Sequence, residues 1–68
     1  MEKTKISTEY IKLDQFLKFS GNVTSGSEAK DIIANGNVKV NGETEIKRGK
    51  KLRKGDIIEV KDRVFQID

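Results

Sequence analysis

Cysteine and histidine are both missing from this 68-residue chain. Their absence excludes disulfides, thiol redox chemistry and the usual zinc frameworks. It also removes the commonest general base and the strongest nucleophile, and no other residue set nominates a reaction. Proline is missing too, and the chain has no internal repeat and no low-complexity tail. No apolar stretch approaches the ~20 residues that span a bilayer, and no basic-then-apolar leader opens the chain. These absences lead to the expectation of a soluble cytoplasmic monomer that needs neither cofactor nor metal. The length makes one domain, residues 1–68, with a small core and marginal stability. The staples on which small domains often rely, disulfides and metals, are the ones already excluded.

Charge is abundant but unevenly spread. The net charge is +3. Residues 1–36 carry five Lys and five acids, whereas residues 37–68 carry nine Lys or Arg against six acids. The surplus lies in IKRGKKLRKGD, residues 46–56, where six of the ten positions from Ile46 to Gly55 are basic and none is acidic. A local basic patch matters more for polyanion binding than the chain total does.

Along the chain, TKISTEYI (residues 4–11) reads as a short strand and an extended lead-in. LDQFLKF places Leu13, Phe16 and Leu17 at i, i+3 and i+4, one apolar face of a short helix stopped at Ser20-Gly21. In TSGSEAKDIIANG, Ser25 and Glu28 have capping-box spacing, with Ser27 as a competing cap. Ala29, Ile32 and Ile33 repeat the helical face, and Asn35-Gly36 ends it. VKV alternates, and Asn41-Gly42 is a strong signal for a hairpin whose return strand is Glu43 to Ile46. Lys54-Gly55-Asp56 is a turn, and Ile57–Val60 and Arg63–Ile67 are strands around Lys61-Asp62. The expected fold is α+β: two short helices packed on a small, mostly antiparallel sheet of about four to five strands. Its core draws on Leu13, Phe16, Leu17, Ile32, Ile33, Val38, Val40, Ile57, Val60 and Ile67.

Most apparent motifs have an ordinary reading. Asp14 and Asp31 could pair as carboxylates, but each falls on the polar side of an amphipathic helix. GNVTSG and NGNVKVNG lack the Gly-Lys-Ser/Thr ending of a phosphate loop and are turns and caps. The second helix offers only Lys30 among basic groups, which is poor equipment for a major-groove reader. Tyr10, Phe19 and Phe65 could stack on bases, though in so small a protein burial is the first expectation for each.

The basic run carries more weight. Its ordinary alternative is a solvated loop. Against that, Lys47, Arg48, Lys50, Lys51, Arg53 and Lys54 form a block without acids, while Ile46 and Leu52 are placed to anchor it at both ends. Gly49 lets the backbone turn or approach a partner closely. Arg48 and Arg53 can fork onto phosphates, and the lysines act as point charges. Such contacts favour any nucleic acid through counterion release.

The order IKLDQFL, SGSEAKDIIANGNVKVNG and KLRKGDIIEV resembles the RNA-binding domain named after small-subunit ribosomal protein S-four, also called the α-L motif. The likeness runs from about Ile11 to Val60, and the short length with KRGKKL looks most like the stand-alone YaaA-like members. The resemblance implies a non-catalytic protein that binds structured RNA, ribosomal RNA first and transfer RNA second, including RNA within ribosomal particles. It places Lys12 at the basic position opening the first helix, Ser25, Ser27 and Lys30 at the entry of the second, and Lys39 and Asn41 in the hairpin. Many members carry a basic residue where this chain has Gln15, and an Arg where it has Gly26. The expectation is that Lys47, Arg48, Lys50, Lys51 and Arg53 supply affinity lost at those two positions. Two other functions fit the charge pattern: an adaptor for an acidic protein partner, and a single-stranded DNA binder.

Overall fold

In the computed structural model, which describes residues 1–68, strand pairing follows the alternation of apolar side chains. Strands β1 (Glu2–Thr4), β3 (Val38–Val40), β4 (Glu43–Thr44), β6 (Ile57–Val60) and β7 (Arg63–Ile67) form one sheet in the order β1-β7-β6-β3-β4. Every pairing is antiparallel except β1 with β7. Val38, Val40, Ile58, Val60, Phe65 and Ile67 turn inward at alternate positions and are buried. Helices α1 (Leu13–Phe19) and α2 (Gly26–Ala34) cover that face. Leu13, Phe16 and Leu17 are buried, and the Phe16 ring meets Phe65 edge-on, with centroids 5.4 Å apart. The fold is thus α+β, with two helices packed on a mostly antiparallel five-stranded sheet.

Both helices stop in the same way. Gly21 and Gly36 take positive φ, +79° and +77°. After α1, the Gly21 and Asn22 amides donate to the carbonyls of Lys18 and Leu17; after α2, those of Gly36 and Asn37 donate to Ile33 and Ile32. This is the Schellman pattern, which satisfies orphan carbonyls and needs a left-handed residue. At the start of α2, the Ser25 hydroxyl accepts the Glu28 amide at 3.1 Å, so Ser25 rather than Ser27 is the cap. The Glu28 carboxylate reaches past Ser25 to the Thr24 amide at 2.9 Å, and the capping box closes one residue early.

Several expected details are corrected. The short first strand lies at Glu2–Thr4, earlier than the expected start at Thr4, and the lead-in ends in a second short strand at Ile11–Lys12. The return strand of the Asn41-Gly42 hairpin ends at Thr44. Ile46, expected as an anchor, is 66% exposed, because the chain leaves the ladder once the Glu45 amide has bonded the Val38 carbonyl. In IIEV the inward pair is Ile58 and Val60, so Ile57 falls on the outer face with Glu59. Ile32 is only partly buried. Phe19 is 65% exposed: at 100° per residue it stands about 110° from the centre of α1's buried face. Phe65 is buried as expected, and Ile6, Val23 and Leu52 join the core.

Candidate nucleic-acid interface

A second, two-stranded ribbon pairs β2 (Ile11–Lys12) with β5 (Lys51–Leu52) in antiparallel register. Ile11 faces Leu52, and both lean on the core; Leu52 is fully buried. Alternation then sends the flanking residues outward. Lys12 stands directly opposite Lys51, and both are exposed. One step along, Tyr10 lies beside Arg53. The Lys51 ammonium is 4.9 Å from the Tyr10 ring centroid, and the Arg53 guanidinium carbon is 5.7 Å from it. The outward face of the ribbon therefore holds three cations and one aromatic ring.

Backbone bonds hold the rest of the basic run against α1. The Leu13 amide donates to the Lys50 carbonyl at 2.8 Å, and the Asp14 amide to the Arg48 carbonyl at 3.0 Å. The run thus provides the acceptors that α1's first turn lacks, since its N-cap, Lys12, makes no side-chain bond. A turn closes from the Lys50 amide to the Lys47 carbonyl at 3.2 Å, and the Glu45 carboxylate accepts the Lys47 amide at 3.1 Å. At the far end, the Arg53 amide donates to Asp56 at 2.8 Å. The segment is anchored, by its backbone and by Leu52, with no help from Ile46. All its basic side chains point into solvent.

None of these cations has a carboxylate within ion-pairing distance. The molecule's one salt bridge joins Arg63 to Glu2 on the β1–β7 edge, where the Arg63 Nε donates to Glu2 at 2.8 Å. That guanidinium hydrogen bond lowers the Glu2 pKa from its usual value, and the same bond raises that of Arg63. Like charges directly opposite on paired strands are destabilising. Lys12 and Lys51 are such a pair in backbone register, and an anion held between them would relieve the repulsion.

The other expected contact residues lie apart from the ribbon. Ser25, Ser27 and Lys30 are exposed at the entry of α2, with the Ser25 hydroxyl committed to its cap. Lys39 projects from the outer face of the sheet, between Thr44 and Glu59 in register. Asn41 is held internally: its side-chain oxygen accepts the Ile57 amide at 2.9 Å, and its amide group donates to Asp56 at 3.1 Å. That clasp ties the β3–β4 turn to the turn before β6. Gln15 and Gly26 are exposed, and a Cβ at Gly26 would meet open space. Three or more carboxylates nowhere gather as a metal site would need.

Tyr10 is the residue that sequence reasoning undervalued. It is only partly buried and stands among the cations. The available signal was period two in TEYIK, which sets Tyr10 and Lys12 on one side and Ile11 on the other. The pairing of Ile11 with Leu52 across some forty residues leaves no such trace.

The family model of the S4 domain matches residues 4–68 of this chain. A curated relative, the probable ribosome maturation protein RlbA of Bacillus subtilis, is 44% identical over 55 residues, which are 81% of this chain and 78% of the relative. The solution structure of YbcJ from E. coli, described as an α-L motif involved in RNA-binding, superposes with a TM-score of 0.73 at 29% identity over 98% of this chain and 86% of YbcJ. The 30S ribosomal protein S4e of Thermoplasma acidophilum superposes with a TM-score of 0.66 at 26% identity over 88% of this chain, which spans about a third (32%) of S4e. With the family model covering nearly its whole length, the chain belongs to the S4 domain family.

Proposed function

We propose that this protein is a non-catalytic RNA-binding module acting as one unit in the cytoplasm, probing structured ribosomal RNA or a ribosome-assembly intermediate through its basic surface. The observation that carries this reading is the acid-free cluster of Lys12, Lys51 and Arg53 on a ribbon bonded to the start of α1. Family membership and the names of the relatives, a ribosome maturation protein and an RNA-binding motif, support it. Lys47, Arg48 and Lys50 extend the cluster, and Ser25, Ser27, Lys30 and Lys39 offer further phosphate contacts on neighbouring elements. Ribosomal RNA ranks above transfer RNA because two of the similar proteins carry ribosomal names.

Sedimentation with ribosomal particles tests the reading. Association that is lost on nuclease treatment and weakens with salt is the expected result. Nuclease-resistant association would point to an acidic protein partner instead, and equal competition by matched DNA and RNA would point to a generic single-strand binder. The double variant Arg48→Ala with Lys51→Ala should bind RNA more weakly and lower the salt slope by roughly 1.4 to 1.8. An unchanged slope and affinity would remove the basic run from the interface.

A further inference from the structure

Tyr10 and the cations around it raise a question that phosphate binding alone does not answer. Phosphate contacts need charge, and charge is amply supplied by exposed side chains of the run. They do not need an aromatic ring at the centre of the cluster. Yet the extended backbone from Tyr10 to Lys12 turns Tyr10 to the same outward side as Lys12, while Ile11 goes inward. The ring then lies beside Lys51 and Arg53, i and i+2 on the facing strand, with their charges 4.9 Å and 5.7 Å from its centroid.

Resting on the RNA-binding reading above, we infer that the outward face of the β2–β5 ribbon is a site for one unpaired nucleotide. The base stacks on Tyr10, and its flanking phosphates lie on Lys12, Lys51 and Arg53. In the free protein the ring is the best partner the two cations have, because no carboxylate is within reach. An arriving strand offers each group a better one. Phosphate oxygens form charge-assisted bonds with Lys51 and Arg53 and separate the opposed Lys12 and Lys51 charges. Once released, the ring can take a base, and a stacked base is worth more than an exposed cation–π contact. Every base has a π face, so the site selects unpaired over paired nucleotides and is tolerant of sequence. A blunt duplex keeps its bases stacked on one another and can offer the ribbon only phosphates.

Tyr10 is the chain's only tyrosine, and there is no tryptophan, so intrinsic emission reports on this ring alone. Two RNAs of equal phosphate number serve as probes: a hairpin with an unpaired loop, and a blunt-ended duplex. With the wild-type protein, the hairpin should quench tyrosine emission more than the duplex does at equal occupancy. Tyr10→Leu should weaken hairpin binding by roughly 5- to 150-fold while leaving duplex affinity and salt slope in place. Tyr10→Phe, which keeps the π face, should bind the hairpin as the wild type does. A folded Tyr10→Leu protein that binds the hairpin normally, or loses hairpin and duplex equally, overturns the inference and leaves the RNA-binding reading standing. If that variant does not fold, equal quenching of the wild-type ring by the two RNAs overturns it instead. Failure of the wild-type protein to bind either RNA overturns both readings together.

Discussion

Gln15 and Gly26 are the two positions at which the family resemblance leads one to expect a basic side chain, and at Gly26 the fold leaves room for one. A Cβ there meets nothing within 4 Å, and its φ is not positive. Replacing a helical Gly gains roughly 0.5–1 kcal/mol, and a cation in a helix's first turn loses about 0.3–1 kcal/mol. The two nearly cancel, so Gly26→Arg should leave thermal stability almost unchanged. If phosphates pass the entry of α2, the same variant should tighten RNA binding and steepen its salt slope by about 0.9, which a salt titration would show. An unaltered slope would confine the interface to the ribbon. At this scale the sequence was an uneven guide. It marked the residues of the basic block, because charge is visible in composition. It could not show that Asn41 spends its side chain on Ile57 and Asp56, since that clasp joins residues some fifteen positions apart.

Turns and caps show how local chemistry sets the elements and where it is strained. The β3–β4 turn uses Asn41-Gly42, which suits positive φ, but the β6–β7 turn places Lys61 and Asp62 there, at +51° and +61°. The left-handed region costs a side chain about 1–2 kcal/mol, and added freedom in the unfolded chain takes back roughly 0.5–1 kcal/mol when Gly is introduced. At the midpoints of these ranges, Asp62→Gly should therefore raise Tm by ~3–6 °C in a calorimetric melt. The cap of α2 makes a prediction about pH. The Thr24 amide bond holds the Glu28 carboxyl below its usual pKa, with the nearby Lys61 charge a smaller contribution. Because the folded pKa is the lower one, the unfolded chain takes up more protons in the interval, and stability falls as pH drops through the acid range. Melts at pH 7 and pH 3 should show a smaller acid-induced loss of Tm for Glu28→Gln than for the wild type. Helix limits, both Gly stops and the β6–β7 strands were legible, since each depends on neighbours within a few residues. The β2–β5 ribbon was not: its strands are two residues each, too short for any period to register.

The whole molecule has little stability to spare. A domain of this size without disulfides or metals rarely exceeds ~3–5 kcal/mol from its core. Leu52, fully buried yet inside the basic run, belongs to both the core and the ribbon. Leu52→Ala should cost about 2–5 kcal/mol, enough to abolish a cooperative thermal transition. Circular dichroism would record that, and an Ala at 52 that melted like the wild type would mean the ribbon hangs free of the core. The apolar pattern made the α+β class readable, and the family resemblance made its arrangement readable. The parallel closure of β1 on β7 escaped both, because it joins the two ends of the sequence. The carbonyls of Arg48 and Lys50, bonded to the first amides of α1, have one more consequence. The loop cannot fray without stripping the helix of the acceptors for its first two amides, so loop and helix breathe as a single cooperative unit. A ligand that quiets the loop therefore also quiets a helix it never touches.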